Sequence, residues 1–171
     1  MNLSLNAIAA TLGAPGVAED SEVARIVTDT RELAPGDLLV ALKGERFDAH
    51  DFLATARERG AVGAVVAHPV ADPLAQIVVP DTRLALGLLA RAHRLAWAGE
   101  LVAVTGNSGK TTVKELLAAI FSRRAPTLAT RGNLNNDIGA PLTLLGLRAD
   151  HRYAAALAGL GSFYAEQNAV G

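Results

Sequence analysis

No cysteine occurs anywhere in the 171 residues. That absence removes disulfides, thiolate chemistry and Cys-ligated zinc or iron–sulfur centres, while leaving the compartment open. Neither sign of charge dominates: 16 Lys+Arg stand against 17 Asp+Glu, a formal net charge of -1. With no global basic field, nucleic acid and anionic membrane surfaces are not expected partners. No stretch approaches the ~20 apolar residues of a membrane span, so no membrane insertion is expected. The N-terminal MNLSLNAIAATLG lacks a basic segment, and Asn6 interrupts its apolar residues, which is not the pattern of a secretory signal. A cytoplasmic protein is the expectation. Internal repeats and low-complexity tracts are missing too. What is there is 50% hydrophobic and 19% charged, with turn residues that punctuate the chain instead of filling it, so disorder is excluded. The length suits one large domain or two small ones, and either can bury a core.

Alanine makes up roughly a fifth of the chain, which raises helix propensity and blurs periodicity. Even so, strands and helices alternate. Ser4 can cap a short helix with an apolar face of Leu5, Ile8, Ala9 and Leu12, ended by Gly13. Ala24–Thr28 and Asp37–Leu42 read as strands separated by the turn dipeptide Pro35-Gly36. A polar stretch from Lys43 to His50 fits neither template, Asp51–Arg59 reads as a helix stopped by Gly60, and Ala61–Ala67 and Gln76–Val79 read as short buried strands. Asp81 or Thr82 then caps a helix running to about Trp97.

The pattern restarts at Glu100. Leu101–Thr105 is a compact strand, followed by a glycine turn and a helix from about Lys110 to Arg124. In that helix Val113, Leu116, Leu117, Ile120 and Phe121 form a stripe expected to face the core. A strand over Pro126–Thr130, a polar loop Arg131–Asn136, an apolar segment Ile138–Leu147 and a strand near Tyr153–Leu157 complete the reading. The fold class expected is α/β, in two units: a small N-terminal domain over 1–82, a connecting helix over 83–99, and the start of a parallel-sheet domain of the P-loop type over 100–171.

The strongest chemical signal is Val104-Thr105-Gly106-Asn107-Ser108-Gly109-Lys110-Thr111-Thr112. Gly106 and Gly109 let the backbone turn so that consecutive N–H groups point inward, and the following helix adds the positive end of its dipole. Lys110 supplies a mobile cation for β- and γ-phosphates, and the Thr111 hydroxyl can take one Mg²⁺ position. Gly106, Asn107, Ser108, Gly109, Lys110, Thr111 and Thr112 are thus the candidate nucleotide-binding residues, with Lys110 and Thr111 the candidate catalytic pair. The strict Walker pattern wants glycine where Val104 stands, leaving the shorter T-G-x-x-G-K-T. The alternative is a glycine turn capping an ordinary helix, with Lys110 merely solvated.

Three further segments stand out: Thr28-Asp29-Thr30-Arg31 with Pro35-Gly36-Asp37; Ala41 to Phe52, containing Lys43-Gly44-Glu45-Arg46-Phe47-Asp48-Ala49-His50; and Gly132-Asn133-Leu134-Asn135-Asn136-Asp137-Ile138-Gly139 followed by Pro141-Leu142-Thr143. With the phosphate loop, in this order and spacing, they make the chain resemble the ATP-dependent Mur ligases of bacterial cell-wall synthesis, from near residue 3 to about residue 150. The resemblance implies that the N-terminal domain holds the UDP end of the substrate through Asp29, Thr30, Arg31, Lys43, Gly44, Arg46, Phe47 and His50. It also implies that Thr130, Asn133, Asn135 and Asn136 contact substrate beside the nucleotide. By themselves, Asp29 and Arg31 read equally as an exposed ion pair, and the asparagines as a turn before a helix. His68, His93 and His151 show no metal spacing and are expected at the surface.

For a whole enzyme the resemblance implies ATP and Mg²⁺ as cofactors and two partners, UDP-N-acetylmuramoyl-tripeptide and D-alanyl-D-alanine. ATP would convert the tripeptide's terminal carboxylate to an acyl phosphate, the dipeptide amine would attack, and phosphate would leave. The sequence departs from the family at two points. Leu157 falls where the family places a magnesium-binding glutamate, and leucine cannot ligate a hard cation. The tail Gly161–Gly171 is expected to have left the family pattern, as a truncated or frameshifted reading would produce, and the isolated chain is expected to be inactive. Two rival readings stay open: another P-loop ligase or kinase, and a non-catalytic UDP-sugar-peptide-binding module.

Overall fold

A computed structural model describes residues 3–44, 47–132 and 134–157. The chain divides into two compact units, residues 1–89 and 90–171, and each carries its own parallel sheet.

In the first unit, β1 (Leu3–Ser4) pairs antiparallel with β2 (Glu22–Val23) and runs straight into α1 (Leu5–Thr11). The Ser4 side chain accepts from the Ala7 N–H at 3.2 Å, as a capping serine should, and Leu5, Ile8 and Ala9 are buried. Next come β3 (Ile26–Val27), a 3-10 turn at Thr30–Glu32, β4 (Leu38–Val40), a second 3-10 turn at Ala49–Phe52, α2 (Leu53–Glu58), β5 (Gly63–Val66) and β6 (Gln76–Val78). Strands β3 to β6 form one parallel sheet in sequence order. Every residue of β4 and β5 is buried, as continuous apolar strands covered on both faces should be. Asp37 pins the entry to β4. Its buried carboxylate accepts from Arg25 Nε at 3.0 Å and from the Ala34 N–H at 2.8 Å. Helix α3 (Thr82–Ala96) begins in this unit and ends in the next. Of the two caps expected, Asp81 serves: its Oδ1 accepts from the N–H groups of Arg83 and Leu84.

The second unit contains β7 (Glu100–Val104), α4 (Lys110–Ser122), β8 (Thr127–Ala129), α5 (Gly139–Leu145) and β9 (Tyr153–Leu157). The sheet order is β7-β9-β8, all parallel, so β9 lies between the other two. Successive β9 residues serve opposite faces. Tyr153 stacks on Phe121 of α4, with ring centroids 4.9 Å apart, while Ala154 joins Trp97 and Leu147 in a cluster lined by Leu101, Leu128 and Leu144. The Trp97 indole N–H donates to the His151 carbonyl at 3.0 Å.

Two expectations are corrected here. The stripe on α4 does not face the core as a whole: Leu117 and Phe121 are half-buried, but Val113, Leu116 and Ile120 are exposed, and the one buried residue of the helix is Lys114. The helix is therefore turned about its axis relative to the apolar pattern. Lys114 faces inward, where its ammonium donates to the Thr130 carbonyl at 2.7 Å. The histidines expected at the surface also divide. His68 is exposed, His93 is half-buried and donates through Nε2 to the Leu147 carbonyl, and His151 is buried, its Nδ1 accepting from the Arg148 N–H.

Candidate functional site

Strand β7 leads directly into Thr105–Gly109, every residue of which is exposed, and α4 starts at Lys110. Gly106 has φ 140 and Gly109 has φ 76, backbone conformations that L side chains rarely adopt. Gly109 is the N-cap of α4, and no side chain caps that end. The first-turn N–H groups are left for an anion, at the positive end of a 13-residue helix. Lys110 folds back across the loop and donates to the Gly106 carbonyl at 2.6 Å. Thr111 and Thr112 are exposed on the first turn, and Asn107 and Ser108 at the crest of the loop. One loop and one helix end thus gather all seven candidate nucleotide-binding residues.

Because β7, β8 and β9 run parallel, the segments that follow them leave from the same edge of the sheet, where ligands of such folds bind. Thr130 follows β8 and is buried, with every polar group engaged: its N–H donates to the Ala155 carbonyl, its hydroxyl oxygen accepts from the Leu157 N–H, and its carbonyl accepts from Lys114. At 1% exposure little of Thr130 is open to a ligand. Asn136 accepts from the Gly139 N–H at 2.7 Å and so opens α5, and Asn135 is half-buried in the same loop. Asn133 lies outside the described residues. A side chain on Gly139 would meet Leu134 Cβ at 2.7 Å and the Leu134 backbone at 2.9 Å, so the start of α5 and the loop approach closely here.

The phosphates of a nucleotide fit the donors of this loop. For Mg²⁺ the protein offers less. Among the described residues no three His, Cys, Asp or Glu side chains gather to hold a metal ion, and Leu157, buried at the end of β9, pairs with Val104 where the loop begins. The Thr111 hydroxyl, exposed on the first turn of α4, is one oxygen that could ligate Mg²⁺. Such an ion would draw its other ligands from phosphate oxygens and water, as Mg²⁺ commonly does.

In the first unit, Asp29 caps the 3-10 turn at Thr30–Glu32 and accepts from the Arg31 N–H, Nε and Nη2 at 2.6–3.1 Å. The Arg31 side chain, followed by its backbone N–H, lowers the Asp29 pKa to about 2. Thr30 is buried while Arg31 is exposed, so only the ion pair of this trio presents itself to solvent. The Lys43–His50 segment closes on itself through a bridge between Lys43 and Asp48 and a bond from the Gly44 N–H to the Phe47 carbonyl. Phe47 is exposed and stacks on Phe52 at 4.7 Å. Arg46 lies outside the described residues. His50 is buried: Nδ1 faces Asp48 Oδ1 at 2.6 Å and Nε2 accepts from the Ala67 N–H at 2.9 Å. That acceptor role fixes the proton on Nδ1. With both ring nitrogens taken, His50 holds the loop to the end of β5 and has no free nitrogen to offer a ligand.

Sequence reasoning passed over Lys114 and Asp48. Asp48 caps the Ala49–Phe52 turn, and hydrogen bonds from the backbone N–H and ring of His50 lower its pKa despite partial burial. An Asp two residues before a His at the start of a turn was the available signal. For Lys114 there was none beyond a lysine next to an apolar stripe.

Strand, glycine loop and helix at the carboxyl edge of a parallel sheet, preceded by a second α/β unit, define a phosphate-loop protein. Residues 104–167 match the Mur ligase middle domain and residues 22–94 match the Mur ligase family, catalytic domain. The chain belongs to the Mur ligase family. The middle-domain match runs on to residue 167, past Gly161, where the sequence was expected to have left the family pattern. Over 129 residues the chain is 55% identical to the UDP-N-acetylmuramoyl-tripeptide–D-alanyl-D-alanine ligase of Escherichia coli, a match covering 75% of this chain and 28% of that protein. The crystal structure of MurF from Acinetobacter baumannii superposes with a TM-score of 0.85 at 45% identity, covering 93% of this chain and 36% of that one. MurF ligase from Thermotoga maritima in complex with ADP gives a TM-score of 0.76 at 30% identity, over 85% of this chain and 35% of that one. The chain therefore spans about a third of the length of the relatives it matches. Among the described residues no helix is long and apolar enough to cross a membrane.

Proposed function

We propose that this chain supplies the sugar-nucleotide and ATP-phosphate binding portion of an ATP-dependent ligase that joins D-alanyl-D-alanine to UDP-N-acetylmuramoyl-tripeptide through an acyl phosphate, a cytoplasmic step of peptidoglycan precursor synthesis. The observation that carries the reading is the exposed loop Thr105–Gly109, with two glycines at positive φ ahead of an uncapped helix. The likeness to relatives with that printed activity supports the choice of substrates. In this reading residues 1–82 bind the UDP end, 83–99 connect, and 100–171 begin the ATP-binding domain. Gly106 to Thr112 cradle the phosphates, Lys110 neutralises charge on the transferred group, and Thr111 offers an oxygen to Mg²⁺. Lys43, Gly44, Arg46 and Phe47 take the UDP end with the Asp29–Arg31 pair, while Thr30 and His50 act from beneath. Thr130 and the amides of Asn133, Asn135 and Asn136 orient sugar or phosphate oxygens without adding charge. Bound Mg²⁺ would supply compensation of phosphate charge.

A calorimetric titration of the 171-residue chain with UDP-N-acetylmuramoyl-tripeptide, with UDP as control, tests this reading, and Mg·ADP is titrated separately. Preference for the muramoyl peptide over UDP, together with independent binding of Mg·ADP, is expected. Silence with all three from a folded sample would sink it. Phosphate release with both substrates, ATP and Mg²⁺ is expected to be absent from these residues taken alone. The reading as a non-catalytic binding module gains from Leu157, and binding of the muramoyl peptide without any Mg·ADP binding would favour it.

A further inference from the structure

Lys114 is 1% exposed, the largest fully buried side chain among the described residues. Stripping an ammonium of water costs several kcal/mol in general, and a leucine or methionine could fill the same space between α4 and the sheet. Its ion-pair partner, Glu115 Oε1 at 2.7 Å, is 64% exposed, so the pair reaches solvent at one end only. The inward partner is the Thr130 carbonyl at 2.7 Å. Thr130 in turn is tied to Ala155 and Leu157 of β9, so α4, β8 and β9 meet at one residue. The next residues, Arg131–Asn136, are the asparagine loop, which leaves the sheet at the same edge as the phosphate loop.

We propose that Lys114 is a positioning residue for the asparagine loop: its buried ammonium, one helical turn beyond Lys110, fixes the Thr130 carbonyl and so sets how the loop departs from β8. The proposal rests on the functional reading above for the loop's ligand, but not for the loop's placement. Lys110 and Lys114 then divide the labour of one helix face, the first meeting phosphate and the second holding the segment that meets the rest of the substrate. Without Lys114 the Thr130 carbonyl would be buried and unpaired.

Lys114→Met, Lys114→Arg and Glu115→Gln in the 171-residue chain test this. Amide hydrogen exchange is read without ligand, followed by titrations with UDP-N-acetylmuramoyl-tripeptide and with Mg·ADP. For Lys114→Met, exchange over residues 131–136 is expected to rise about tenfold, with α4 and β9 unchanged. Its dissociation constant for the muramoyl peptide should rise about tenfold and that for Mg·ADP by less than about twofold. Lys114→Arg, which keeps a charged donor, should recover most of both effects, and Glu115→Gln should match the parent chain. Unchanged exchange in the loop overturns the proposal. So does a loss spread evenly over α4, β9 and both ligands, because that marks a merely structural lysine. If the parent chain binds neither ligand, the functional reading fails, and the exchange data alone decide for or against Lys114.

Discussion

At the scale of single residues, an arriving phosphate must compete with a bond already inside the loop, since Lys110 Nζ rests 2.6 Å from the Gly106 carbonyl. The exchange is favourable because a charge-assisted bond to phosphate is roughly twice as strong as one to a neutral carbonyl. Lys110→Met should therefore weaken Mg·ADP binding by about 10- to 100-fold, or about 1.4–2.7 kcal/mol, with the circular dichroism spectrum unchanged. Isothermal titration of parent and variant checks both halves. The place of Lys110 at the glycine loop was legible in the sequence, because the glycine spacing and the following helix set it there. That of Lys114 was hidden, since periodicity scores a lysine beside an apolar stripe as the solvent side. His151 was misjudged for a related reason. Histidine is indifferent to pattern, and only its partner, the Arg148 N–H, reveals the buried ring.

At the scale of elements, alternation of strands and helices could be read almost directly, with boundaries a few residues too generous. The helix expected over Asp51–Arg59 is instead a 3-10 turn and the short α2, because Asp48 caps the chain before the helix proper begins. On α4 the period was right and the facing was wrong: Lys114 is buried while Val113, Leu116 and Ile120 are exposed. The asparagine loop shows a further limit. Its composition announced a turn, but not the close approach of Gly139 to Leu134, which only the folded chain shows. Gly139→Ala should push Leu134 away, costing about 1–3 kcal/mol as overpacking does. It should also weaken the muramoyl peptide more than Mg·ADP. Urea denaturation and the two titrations measure these effects.

At the scale of the whole molecule, acid should erode stability in two stages. His151 has its pKa lowered from 6.5, by burial first and by Arg148 second, and its Nδ1 must stay unprotonated to accept from the Arg148 N–H. A depressed folded pKa means that its contribution is complete above pH 6.5 and is lost as pH falls through the folded value. Asp29, lowered from 3.8 to about 2, contributes fully above 3.8 and loses that contribution as pH falls through about 2. Because the Arg31 side chain is 85% exposed, that share is under about 1 kcal/mol. Urea midpoints should fall between pH 7.5 and 5.5 in the parent chain, and fall less in His151→Asn, whose amide oxygen can accept the same N–H without titrating.

The bond between the Trp97 indole and the His151 carbonyl has one more consequence. Trp97 is the sole tryptophan of the chain, and it is buried in the second unit. Its emission therefore reports on the melting of residues 90–171, the unit that holds it. Far-ultraviolet dichroism sums the helices of both halves. Recording the two signals on one sample separates a molecule that melts as a single cooperative body from one whose halves come apart in turn.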